Sequence, residues 1–354
     1  MTSGPMIGIL AHGPRGTIAD VGGVTVGHCT IAEGDLQTGV TVIRPHPGDP
    51  FRAKVPAAAV VFNGFGKSVG LLQVNELGVL ETPIALTNTF AVGAIATAQI
   101  RSAIAANPGI ARETTSVNPL VFECSDAYLS DMQALAVSAE HYDAALAAAT
   151  PDFDRGSIGA GRGMSCFGLK GGIGTASRSA RAGDRAFIIG AFVLANFGRL
   201  ESLTIAGRRI GPALTQRLAN ATPQRDHGSI IVVLATDAPL DHRQLRRVAM
   251  RAAAGIGRTG SYYGHGSGDI ALAFSTAHTV AHEPAATELA TTVIAEPKLE
   301  TLFDAAAEAT EQAIVDALFA ATTVIGFRGH TRHALTEIAP DWPTLAVHVN
   351  AITR

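Results

Sequence analysis

Ser229 is the residue whose type and setting offer the most chemistry. It stands in Asp226-His227-Gly228-Ser229, directly ahead of the apolar, β-branched run from Ile230 to Ala235. A serine opening a buried strand, with glycine before it and a polar loop before that, is where a precursor could cut its own chain. Scission between Gly228 and Ser229 would give an α chain of residues 1–228 and a β chain of residues 229–354. The new N-terminal α-amine has an ordinary pKa of ~7.7–8.0, so it can serve as general base for the hydroxyl on its own residue. The same four residues also suit a plain loop-to-strand junction.

Other side chains could complete such a site. Asn196 ends a strongly apolar run, where an amide must find partners or face a cleft; it also suits a turn before Phe197-Gly198. Ser267 and Asp269 bracket Gly268 and at strand periodicity project to one side, so the carboxylate could orient the hydroxyl. An Asx-type turn is the alternative. Glu123, Ser125, Asp126, Tyr128 and Asp131 cluster at a strand-to-helix junction. Acidic residues there are also favoured by a helix dipole. The stretch Gly168-Leu-Lys170-Gly171-Gly172-Ile-Gly174 is dense in glycine, which lets backbone approach a ligand or a neighbouring strand closely. Lys170 could add positive charge to a cleft wall or sit in a structural ion pair.

Three other patterns carry less. Gly255-Ile-Gly257-Arg-Thr-Gly260 follows an expected helix, not a strand, so it lacks the dinucleotide-binding context. The segment from Gly163 to Lys170 has no Ser or Thr after its lysine and so no magnesium ligand of a phosphate loop. His330 and His333 come without a third ligand, so no metal site is read.

The block from Gly161 to Arg178, the run Val193-Leu-Ala-Asn196-Phe-Gly198 and the block from Thr259 to Thr276, taken with Ser229, resemble the self-processing serine aminopeptidases. That family includes the L-aminopeptidase/D-amidase/esterase and β-peptidyl aminopeptidase group. The resemblance implies an α+β, four-layer αββα sandwich like that of N-terminal-nucleophile hydrolases but with its own connectivity, shared with ornithine acetyltransferase. It also implies a single catalytic domain that releases N-terminal residues from small peptides, amino-acid amides or esters, with no metal or organic cofactor. Ser229 would be the nucleophile, Asn196 the oxyanion donor, and Ser267 and Asp269 the relay. Glu123 would anchor the substrate ammonium, with Ser125, Tyr128, Lys170, Gly171 and Gly172 lining the pocket. Asp269 stands where some relatives carry glutamate, and Ser125 near where relatives carry a larger aromatic. Relatives suggest a homotetramer of αβ units. Acyl transfer of the ornithine acetyltransferase type and oligoamide hydrolysis are the sister chemistries, but both groups use threonine in place of Ser229. A non-catalytic, uncleaved binding protein is the remaining alternative.

The elements that must position these residues show as alternating short apolar runs and alanine-rich stretches. Strands are expected over 40–44, 58–63, 82–87, 119–124, 186–196, 229–236 and 269–275, and helices over 92–106, 128–149, 241–254 and 299–320. Asp241 is placed to cap the third helix. Near-continuous apolar strands imply a sheet covered on both faces. Residues 154–163 and 220–228 read as linkers. The 354 residues, 47% hydrophobic, suffice for a large core, and a net charge of −3 without a basic patch argues against nucleic acid as a partner. The longest apolar run, over 186–197, falls short of the roughly 20 residues of a membrane span. No secretory signal is read at the N-terminus. Three distant cysteines suggest buried reduced thiols and a cytoplasmic protein.

Overall fold

The computed structural model describes residues 4–218 and 228–345. Two sheets lie face to face with helices outside both, the expected four-layer αββα sandwich. The smaller sheet is built from β1 (Thr25–Glu33), β2 (Leu36–Arg44), β4 (Ile84–Asn88) and β5 (Leu120–Cys124), paired in that order. The larger sheet runs β3 (Ala53–Gly64), β9 (Gly268–Ser275), β8 (Ser229–Thr236), β7 (Arg185–Asn196), β6 (Gly172–Ala182). Two-residue strands, Val79–Leu80 and Val280–Ala281, extend it beside β3.

Each sheet has one parallel pair, and both crossovers are helical, because parallel neighbours cannot be joined by a tight turn. The helix α1 (Val92–Ala106) links β4 to β5. The helices α3 (His242–Met250) and α4 (Ala252–Arg258) link β8 to β9. Strand β8 is buried throughout, and alternation assigns its side chains to two cores. Ile231 and Val233 meet Phe122 and Leu86 between the sheets. Ile230, Val232 and Leu234 join Leu245, Val248 and Ile256 of the helix layer, completed by α5 (Glu300–Ala320). On the other side, Val40, Val42 and Val121 pack against Ile95 of α1 and Tyr142 of α2 (Ala139–Ala147). The segment Thr89–Ala106 has the length and hydropathy of a membrane span, yet α1 lays Val92, Ile95 and Ala98 on the sheet.

Several expectations need correction. The helix expected over 128–149 survives only as α2. Asp131 caps a short turn of 3-10 helix, Leu135 takes a left-handed conformation (φ 48°), and Ser138 with His141 caps afresh. The helix over 241–254 is capped by Asp241 as expected but breaks at Arg251 into α3 and α4. Strands β1 and β6 were not expected. Residues 154–163 are no linker: they contain the 3-10 turn Gly159–Gly161, all three residues buried, with Ala160 in the core between the sheets. Of the second linker, 220–227 lies outside the described residues.

Candidate active site

The pairing of the larger sheet brings the expected residues to one end. Asn196, the last residue of β7, sits opposite Ser229, the first of β8. Parallel pairing sets Ile230 beside Asp269, and antiparallel pairing sets Gly268 opposite Gly64. The smaller sheet reaches the same place: the Cys124 thiol at the end of β5 donates to the Ser229 carbonyl at 3.4 Å. Four strand ends and the tip of a fifth thus converge, which is how residues far apart in sequence can share one site.

Around Ser229 the contacts are close. The Gly268 N–H donates to Ser229 Oγ at 3.0 Å. Ser267 Oγ donates to Asp269 Oδ1 at 2.6 Å, both residues buried. The aspartate therefore reaches its serine despite being shorter than the glutamate of some relatives. Gly228 is pressed against the Asn196–Phe197 backbone, where a Cβ would lie 1.9 Å from the Asn196 carbonyl oxygen. Only glycine fits there, a steric reason for the residue before the serine.

The Asn196 amide is oriented from both ends. Its Oδ1 accepts from the Ser165 N–H at 2.7 Å, and its Nδ2 donates to the Ser125 carbonyl at 2.9 Å. The amide carries two N–H donors, so the second remains to meet an oxyanion. Ser125 thus contributes its backbone, while its hydroxyl lies 3.9 Å from Met132 Sδ.

Glu123 is buried near the end of β5, where a Cβ on Gly66 would lie 3.7 Å from its Oε1 and 3.9 Å from the Gly268 Cα. Its Oε1 accepts from the Lys67 N–H at 2.9 Å, and its Oε2 accepts from the Thr89 hydroxyl. A carboxylate has about four lone-pair sites, so these contacts fix its aim and still leave acceptor capacity for an ammonium. Next to it, burial pushes Asp126 up to about 7, against the pull of Thr38 and Asn88, with Glu123 adding repulsion. Burial and the neighbouring carboxylates hold the Cys124 thiol well above its ordinary value, so Cys124 is no rival nucleophile.

Some expected pocket residues lie elsewhere in the arrangement. Lys170 is fully buried and spends its three donors on the carbonyls of Gly161, Met164 and Gly171, at 2.8–3.0 Å. Its donors are thus taken up by backbone, and among the described residues it forms no ion pair with a carboxylate. Gly171 and Gly172 are buried against backbone: a Cβ would lie 2.4 Å from the Ala195 carbonyl at the first and 2.2 Å from the Gly156 carbonyl at the second. Their smallness serves packing. Tyr128 is half-buried and stacked on His330 at 4.5 Å, with the Arg332 guanidinium 3.5 Å from its ring centroid. Arg332 in turn donates to Ser165 Oγ at 3.0 Å, so Tyr128 is linked through Arg332 to the residue whose N–H holds Asn196 Oδ1.

Sequence reading missed the supporting shell. Lys67, Thr89, Gly268 and Ser165 act through backbone or a small hydroxyl, which leaves no type-and-spacing signal. Asn63 fastens the loop before β9: its Nδ2 donates to the Gly264 carbonyl at 3.1 Å and to that of Ser267. Among the described residues there is no cluster of three or more side chains suited to a metal ion.

Comparison with known proteins fits this geometry. The profile of peptidase family S58 matches residues 16–332. The β-peptidyl aminopeptidase BapA of Sphingosinicella microcystinivorans is 36% identical over 342 residues, 90% of this chain and 85% of that protein. The solved structure of a Burkholderia sp. β-aminopeptidase is 39% identical, with a TM-score of 0.86, covering 94% of this chain and 96% of that one. An L-aminopeptidase D-Ala-esterase/amidase from Ochrobactrum anthropi, described as a prototype for the serine aminopeptidases and a variant of the Ntn hydrolase fold, is 35% identical. Its TM-score is also 0.86, with 96% of this chain and 98% of that one covered. With a serine at the mouth of this sandwich and relatives alike over nearly their whole length, the chain belongs to peptidase family S58 and is a serine aminopeptidase, a hydrolase of peptide bonds.

Proposed function

We propose that the protein matures by cutting itself between Gly228 and Ser229, and that the freed serine then removes N-terminal aminoacyl groups from small peptides, amides or esters. The observation that carries this is the placement of Ser229 Oγ under the Gly268 N–H, opposite Asn196, with Gly228 wedged where no side chain fits.

In maturation, Ser229 Oγ attacks the Gly228 carbonyl carbon. The C–N bond breaks, the nitrogen takes the hydroxyl proton, and an ester joins the two residues. Water hydrolyses that ester, leaving a Gly228 carboxylate and a Ser229 with free amine and hydroxyl. The two chains stay joined because β7 and β8 are neighbours in one sheet. In turnover, Oγ attacks the substrate carbonyl while the Ser229 amine takes its proton. The second N–H of Asn196, with nearby backbone N–H groups, stabilises the oxyanion, while the Gly268 N–H holds Oγ. Glu123 holds the substrate's free ammonium, and Asp269 orients Ser267 beside the nucleophile. The amine proton passes to the leaving group, and water releases the acyl group from Oγ.

β-Aminoacyl substrates are the first to try, since that is what two of the relatives named above are named for. Assembly into a tetramer of αβ units would cover apolar side chains such as Phe90 and Ile104, 55% and 40% exposed. The three cysteines are free, two of them buried, which suits a cytoplasmic setting. Intact-mass analysis decides the central point: the wild-type chain should give two fragments split at Gly228/Ser229 and hydrolyse a β-homoaminoacyl p-nitroanilide. Ser229→Ala should give one uncut, inactive chain, and two fragments from that variant would overturn the assignment.

A further inference from the structure

Burying an ammonium among carbonyls, with no carboxylate paired to it among the described residues, is costly, so the setting of Lys170 calls for a reason. Its three N–H groups end on Gly161, Met164 and Gly171, at 2.9, 3.0 and 2.8 Å. These three carbonyls bracket one loop, tied further by Gly171 N–H to the Met164 carbonyl at 3.0 Å. The loop carries the tight hairpin of Ser165–Cys166 with Leu169–Lys170, turned through Phe167 and Gly168, both at positive φ (52° and 73°). From it two N–H groups reach the end of β7: Ser165 to Asn196 Oδ1 at 2.7 Å, and Phe167 to the Phe197 carbonyl at 2.7 Å.

We infer that Lys170 is a positioning residue for the reaction: by gathering three carbonyls of the loop over 161–171, it holds the Ser165 N–H on Asn196 Oδ1 and thereby turns the Asn196 amide so that its N–H groups face Ser125 and the oxyanion. The carbonyls favour the charged form, since a neutral amine would turn a lone pair on one of them. Desolvation by burial, with Arg162 adding repulsion, opposes that by lowering the Lys170 pKa well below the usual lysine value. A methionine would fill the volume and remove all three bonds. The Ser165 N–H would then drift, and an amide free to rotate would present its oxygen to the oxyanion as readily as its nitrogen.

The inference rests on Asn196 being the oxyanion donor, and a double-mutant cycle separates the two claims. It uses the full-length protein, with kcat taken per mole of titrated nucleophile. Asn196→Ala alone should lower kcat about 10²–10³-fold; no loss would overturn the oxyanion reading itself. Lys170→Met alone should lower kcat about 10–100-fold, with KM within about 2-fold, the effect expected of a misplaced catalytic group. In the Asn196→Ala background, Lys170→Met should add less than about 2-fold, because its effect passes through the missing amide. A Lys170→Met loss that persists undiminished in that background, or no loss in the wild-type background, would overturn the role of Lys170 and leave that of Asn196 standing. If the methionine variant does not fold, Lys170→Gln, which keeps two donors, runs the same cycle, and the same outcomes support or overturn the role.

Discussion

Two basic side chains are among the most deeply buried in this protein, and they are held in opposite ways. Arg178, 1% exposed, lies on β6 and binds Glu308 of α5 at 3.2 Å, together with the carbonyl of Ile7 and the amide of Gln312. Glu308 also accepts the N–H groups of Ile9 and Leu10, at 3.0 and 3.1 Å. The arginine thus straps the N-terminal segment across the outer face of the sandwich. Lys170, only eight residues earlier in the chain, has carbonyls alone as partners among the described residues, and those belong to the loop that orients Asn196. A charge paired with a carboxylate secures one element to another. A charge spread over carbonyls shapes a single loop. The first arrangement serves stability, the second serves geometry at the site.

The largest effect should come from breaking the paired charge. Arg178→Met leaves the Glu308 carboxylate uncompensated and should cost about 3–5 kcal/mol of stability, read as a fall in Tm or in denaturation midpoint. Turnover per folded enzyme should stay near wild type, the reverse of what Lys170→Met does. Loss of turnover without loss of stability would erase the distinction drawn between the two regions.

A smaller effect should be seen at Asp126, which is buried close to Glu123 with no cation paired to it among the described residues. Its carboxyl is raised to about 7 by burial from an ordinary 3.8. The folded protein therefore holds this proton over a range where the unfolded chain has lost it, so the group costs stability progressively as pH rises from about 4 to about 7. Above that range the penalty is complete, and below it absent. Asp126→Asn removes it, so the variant should gain on the order of 2–4 kcal/mol relative to wild type between pH 4 and pH 8. Paired thermal unfolding curves at the two pH values test this; a constant gap would mean that Asp126 is ionised without penalty.

The smallest effect belongs to an exposed pair on the N-terminal segment that Arg178 straps down. Arg15 meets Asp152 at 3.1 Å with both side chains largely in solvent. Arg15→Ala should change stability by no more than about 1 kcal/mol. A drop comparable to that of Arg178→Met would show that the strap is held at its surface and not by its buried arginine.

How much of this was legible in sequence depends on the element. Helices α1 and α5 were, because their length lets apolar periodicity declare itself, and β8 was, because its β-branched run is broken only by its two flanking loops. The stretch after β5 misled because its alanine-rich composition favours helix, while Asp131, Leu135 and Ser138 divert the backbone at particular points. Strand β6 was hidden for another reason. Its Gly174 is what a helix backbone requires of its neighbour: a Cβ there would lie 2.0 Å from the Ala313 carbonyl of α5. In sequence, a glycine kept for packing looks the same as one kept for a ligand, and only the structure shows that Gly171 and Gly172 press on neighbouring backbone.

From its own residues the chain determined which groups could react: a hydroxyl after a glycine at the start of a buried strand, an amide at the end of another, and a Ser-Gly-Asp triplet whose spacing puts both side chains on one side. These are local properties, set by residue type and a two-residue period. Tertiary structure alone decided what those groups meet. Strand pairing put Asn196 opposite Ser229 and Gly268 over its Oγ, and the smaller sheet carried Glu123 to the same end. Folding also enclosed Lys170 among the carbonyls of Gly161, Met164 and Gly171. Such outcomes follow from long-range register and from what remains within hydrogen-bonding reach once water is excluded, and neither is written in the spacing of residues along the chain.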